Sequence, residues 1–103
     1  MSFEEFLAAP VPPAGMSPAL QALWHAAGKA DSGGWDRAHA GVQDDGSRDG
    51  AWVHAYLHRV EGDDANAGYW YARAGRKVPA ASVTLEAERE AITRALLAKA
   101  GSE

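Results

Sequence analysis

The sequence contains no cysteine, so it offers no disulfide, no thiolate nucleophile and no cysteine-ligated zinc site. No apolar run approaches the length needed to cross a bilayer. Cationic charge is scarce: 10 Lys and Arg stand against 14 Asp and Glu, a formal net charge of −4. Nucleic acids and anionic membranes are bound through basic surfaces, so neither is an expected partner. The chain opens Met-Ser-Phe-Glu-Glu, acidic where a secretory leader would be positive, and a cytoplasmic location is expected. Serines are few and fall at helix starts and turns, so no nucleophile–His–acid set stands out. Gly33-Gly34 has neither the preceding strand nor the following Lys of a phosphate loop.

What the chain does have is alanine and tryptophan. Its 103 residues suit one domain, residues 1–103, and a chain of that size buries only a little over ~60% of its unfolded surface. Hydrophobic residues make up 47%, but 23 of them are alanine, so much core volume falls to four tryptophans. Alanine is the best helix former, and closely approaching helices follow from its small side chain. The charge is uneven as well. Residues 31–64 carry a net −5, and residues 65–85 carry Arg73, Arg76 and Lys77 with no acid. That basic segment is suited to a small anion or an acidic patch on a protein partner.

Helix signals recur at short intervals. Ser2 and Glu5 form a capping-box pattern for a short helix over Phe3–Ala9, followed by the extended Pro10-Val-Pro-Pro-Ala-Gly15. Residues 1–16 thus read as an N-terminal arm. Ser17-Pro18 starts the next helix, whose apolar face is Leu20, Leu23, Trp24 and Ala27; it stops before Ser32-Gly33-Gly34. Trp35, Ala38, His39 and Val42 share the same spacing and end at Asp44-Asp45-Gly46-Ser47. Asp49 is the expected cap of a helix with the stripe Trp52, Val53, Tyr56, Leu57 and Val60, closed by Glu61-Gly62-Asp63. Asp63 or Asp64 caps another, with Ala67, Trp70, Tyr71 and Ala74 inward and Gly75 at its end. A last helix runs from Thr84 to about Ala100 with a thin stripe of Leu85, Ile92, Ala95 and Leu96. No segment alternates as a strand does, so the fold class is all-α.

A shift of 29 residues aligns His25 with His54, Ala26 with Ala55, Gly33 with Gly62, and Ala38 with Ala67. Each copy reads helix, Gly-containing turn, helix, so residues 17–76 form two antiparallel hairpins, with a linker and capping helix over 77–103. The second unit, Ala51–Asp63 with Asn66–Gly75, resembles a tetratricopeptide or Sel1-like helical repeat. It shares the aromatic and small residues of the first helix, the Gly-Asp turn, and the Ala-rich second helix. The first unit lacks that Gly-Asp turn. The segment Trp35–Arg76 is also similar to a small family of short bacterial and fungal proteins. The motifs W-D-x-A-H, W-V-H-A-Y-L-H-R-x-E-G-D and N-A-x-Y-W-Y carry that likeness, which implies no particular activity.

Chemistry concentrates on a few residues. His54, His58 and Glu61 lie at i, i+4 and i+7, on a side of their helix away from its apolar stripe. Two histidines at i, i+4 are the spacing by which a helix gives two ligands to a divalent metal, with Glu61 and a nearby His39 as further donors. The alternative is a solvated face, or an inter-helix contact that Ala51 and Ala55 would permit. His39 falls on an apolar face, where a core histidine bonded to a backbone carbonyl is expected. Asn66, Tyr69, Arg73 and Arg76 share the polar face of the next helix, and with Arg59 they could clamp a carboxylate or other anion. The first functional expectation is a binding or assembly module without catalysis and without an obligatory cofactor, able to homodimerise through aromatic surface. Its face would comprise His54, His58, Glu61, Tyr69, Arg73 and Arg76. The alternative is a small metal-dependent or acid–base enzyme, or an accessory subunit of one, on His54, His58, Glu61 and His39.

Overall fold

A computed structural model describes residues 1–28 and 33–100, and its described residues form six helices and no strand. They are α1 (Phe3–Ala8), α2 (Pro18–Ala26), α3 (Gly34–Val42), α4 (Arg48–Val60), α5 (Asp64–Ala74) and α6 (Leu85–Lys99). The protein is all-α. No helix is long and apolar enough to cross a membrane among the described residues.

Most boundaries follow the capping chemistry. Ser2 and Glu5 complete their reciprocal box, at 3.0 Å and 2.8 Å. Ser17, Asp63 and Thr84 each accept a first-turn N–H with their side chain. Gly62 and Gly75 follow α4 and α5 with φ of +84° and +72°, the left-handed conformation that favours glycine. The start of α4 differs from expectation. Its cap is Ser47, whose hydroxyl accepts from Gly50 N at 3.0 Å, while Asp49 sits inside the first turn and pairs with Lys99 at 2.9 Å. Serine wins because Asp45 accepts the Ser47 N–H and turns that residue into the capping position. The expected stop at Ser32 lies outside the described residues.

The helices pack as two successive pairs, α2 on α3 and α4 on α5, with α6 across α2 and α4 and with α1 on α6. Both pairs rely on small residues. A Cβ at Gly34 would stand 2.6 Å from the His25 carbonyl oxygen, so only glycine lets α3 begin against α2. Ala55 and Ala67 meet beside Tyr71 in the seam between α4 and α5. The main core gathers Phe6, Leu20, Leu23, Val53, Leu57 and Ile92, and burying each of these contributes roughly 1.5–3 kcal/mol.

The inward face of α6 is not the expected one. Leu85 and Ala95 are exposed, and the helix instead buries Glu88, Thr93 and Leu97 beside Ile92 and Leu96. A buried carboxylate rotates the stripe because a network described below receives it. Val60, assigned to the stripe of α4, is likewise exposed.

The N-terminal arm is tied down by Trp24, whose indole N–H donates to the Ala9 carbonyl at 3.1 Å. Trp24→Phe removes that bond while keeping most of the ring. We expect it to cost about 1 kcal/mol in urea denaturation and to speed amide exchange in α1. Unchanged exchange in α1 would show that the arm is held by its other contacts, Phe6 in the core and Arg94 against Glu4 and Phe3.

Candidate metal centre

The face of α4 that carries His54 and His58 turns toward α3 rather than toward water. His54 and His58 are only 4% and 7% exposed, and His39 of α3 is half-buried against them. The expectation of a backbone-bonded core His39 is corrected here. His39 Nε2 meets His54 Nε2 at 3.1 Å, because α3 packs on α4 and presents the imidazole to a second imidazole. Ring centroids are 4.7 Å apart for His39 and His54, 4.8 Å for His54 and His58, and 5.5 Å for His39 and His58. One ring nitrogen from each of the three lies within 4.8 Å of the others.

Each ring is held from outside the trio. Trp35 stacks on His39 with centroids 4.9 Å apart and planes 8° from parallel. Its indole N–H is pinned to the Leu57 carbonyl at 2.8 Å. Trp70 of α5 stacks on His54 at 4.0 Å and 13°. His58 Nδ1 bonds the Glu61 carboxylate at 2.6 Å, which leaves its Nε2 free to take a ligand. Glu61 itself is exposed and serves His58 rather than His39 or His54. With His58 and Asp63 it forms a second potential donor group at the end of α4; the sequence marked Asp63 only as a turn and capping residue.

Burial lowers the His54 pKa to about 4, assisted by repulsion from His39 and His58. Its Nδ1 is buried and has no hydrogen-bond partner among the described residues, so nothing there receives a second proton. His54 is neutral at pH 7, the protonation state a metal requires.

The remaining candidates scatter. Tyr69 is 54% exposed and its hydroxyl accepts from Arg73 at 3.3 Å, with the Arg73 guanidinium 5.4 Å over Trp70. Arg76 lies 3.7 Å over Trp52, a different ring. The Asn66 backbone N–H is spent on the Asp63 cap. Arg59 does not join an anion clamp, because it points the other way. It bonds Glu88 at 2.9 Å and the Val83 carbonyl, and Glu88 also accepts the Tyr71 hydroxyl at 2.5 Å. This network, absent from the sequence-based site, joins α4, α5, α6 and the segment before α6. The only signal for it was a lone Glu on the wrong side of a helical stripe.

The chain matches no family model, no curated protein and no solved structure.

Proposed function

We propose that this protein is a helical metal-binding module that holds one divalent transition-metal ion on His39, His54 and His58. The observation that carries the reading is the convergence of three imidazoles from two helices within 4.8 Å. Two ligands of a tetrahedral ion bound at about 2.0–2.1 Å stand about 3.4 Å apart, close to the 3.1 Å between His39 and His54. An ion between those two nitrogens also replaces a contact in which neutral imidazoles must share one proton. The Glu61–His58 bond is the carboxylate–histidine support that metal-ligating imidazoles use. Neutral nitrogen donors suit zinc, copper, nickel or iron, and they disfavour magnesium and calcium, which take oxygen ligands. The reading joins the two sequence expectations: a binding module in two tetratricopeptide-like hairpins, with a metal ion as its ligand. The exposed Tyr69 and Arg73 leave α5 free to meet a protein partner or a second copy.

Titration of tag-free, chelator-stripped protein with Zn2+ by calorimetry tests it. The expected result is about one ion per chain. Glu61→Gln should weaken binding about 10–100-fold, and His54→Ala/His58→Ala should abolish it. Absence of binding, or binding that the double variant retains, rejects the proposal.

A further inference from the structure

A cavity of about 330 Å3 lies between α4 and α6, separated from the histidines by the Trp35 ring. Its walls are Trp35, Leu57, Val60 and Leu85, and the last two are 39% and 38% exposed, apolar side chains left uncovered on neighbouring helices. Buried Tyr56 and half-buried Arg89 also line it. Arg89 lies beside Tyr56 and partly offsets the rise in its pKa that burial causes. Arg89 has no carboxylate partner among the described residues, whereas Arg59 and Arg94 each have one. A half-buried cation that lines a mostly apolar cavity and makes no direct ion pair among the described residues is stabilised when a ligand brings a carboxylate to it. Small-molecule sites have this make-up: a mostly apolar concavity with a few convergent polar groups.

We infer that this cavity binds a small carboxylic acid with an apolar body, its carboxylate on Arg89 and Tyr56 and its body against Trp35, Leu57, Val60 and Leu85. Glu86 stands at the rim and is placed to receive an ammonium group, which would extend the same chemistry to an apolar amino acid. The inference is independent of the metal centre, since none of the three histidines lines the cavity.

The test is an NMR titration with chelator present, following the Trp35 indole N–H, assigned by its loss in Trp35→Phe. The probes are 3-phenylpropionate, octanoate, phenylalanine and the neutral 3-phenylpropanol. The two simple acids should move the Trp35 signal at sub-millimolar concentration, and the alcohol should bind about tenfold or more weaker. Arg89→Met should remove that preference while leaving alcohol binding in place, a readout that an unfolded variant could not give. Phenylalanine binding more tightly than 3-phenylpropionate identifies the amino acid as the ligand type, and weaker binding identifies the simple acid; both support the site. No shift at 5 mM, equal affinity for acid and alcohol, or a preference that survives Arg89→Met overturns it.

Discussion

Replacing Glu88 with alanine should lower stability by about 3–5 kcal/mol, which for a domain of this size moves the thermal midpoint by roughly 12–40 °C. Glu88 is 6% exposed and accepts from both the Arg59 guanidinium and the Tyr71 hydroxyl. Without it, the Tyr71 phenol has no acceptor and the Arg59 guanidinium keeps only the Val83 carbonyl, with no counter-charge, in a low-dielectric site. An unmade bond there costs more than a made one contributes. Burial and the Glu88 carboxylate both push the Tyr71 pKa up, so the phenol stays protonated and cannot adapt by ionising. Glu88→Gln should cost less, since its amide oxygen still accepts one bond. Replacing all three polar groups, as Arg59→Met/Tyr71→Phe/Glu88→Leu, should recover much of the loss, because no charge is then stranded. Urea denaturation decides it: a Glu88→Ala variant within 1 kcal/mol of wild type would mean that water enters the site and replaces the carboxylate.

The second large effect is a pH dependence of the metal-free protein. Between pH 6.5, the ordinary histidine value, and about 4, the His54 value in the fold, the unfolded chain holds a proton at His54 that the folded chain does not. Stability is therefore full above pH 6.5 and declines as pH falls toward 4. The loss is about 3 kcal/mol, from 1.36 kcal/mol for each pKa unit. Burial is the main cause, and His39 on α3 and His58 one turn along α4 also oppose a cation at His54; Glu61 is engaged with His58. The measurement is the urea midpoint at pH 7.5 and 4.5 in chelator, for wild type and His54→Phe. The variant should show a loss smaller by about 2.5 kcal/mol, the part of the His54 contribution that falls between those two pH values, which separates His54 from the carboxylates. Equal losses in both proteins would show that His54 takes up its proton without opening the fold.

Helix positions were legible because their signals are local: a serine or threonine cap, a glycine in the left-handed region, a stripe with a period of 3.6. The pairing of His54 with His58 was legible for the same reason. Two parts of the site were not. The side of α4 that carries His54 and His58 was open to two readings, a solvated face or an inter-helix contact, because it lies away from the strongest stripe; α3 covers it, and α3 shows no sign in its own sequence of where it will lie. His39 looked like a core residue because it shares a face with Trp35, Ala38 and Val42; its partner is on another helix. The α6 stripe failed for a related reason. Glu88 has no apolar character to register, and only Arg59 and Tyr71, 29 and 17 residues away, make its burial affordable.

The histidine trio has a kinetic side. All three residues fall within residues 39–58, a segment of 20 residues out of 103, and nothing from α6 is needed to bring them together. Closing so short a loop carries a small entropic cost, and local contacts form early. The core contacts of Ile92 and Leu96 must wait for a segment more than thirty residues further along. On the metal-binding reading proposed above, an ion present during folding would meet the three imidazoles before the C-terminal helix docks, and the two helix pairs would be joined at their seam while the last face of the core is still open.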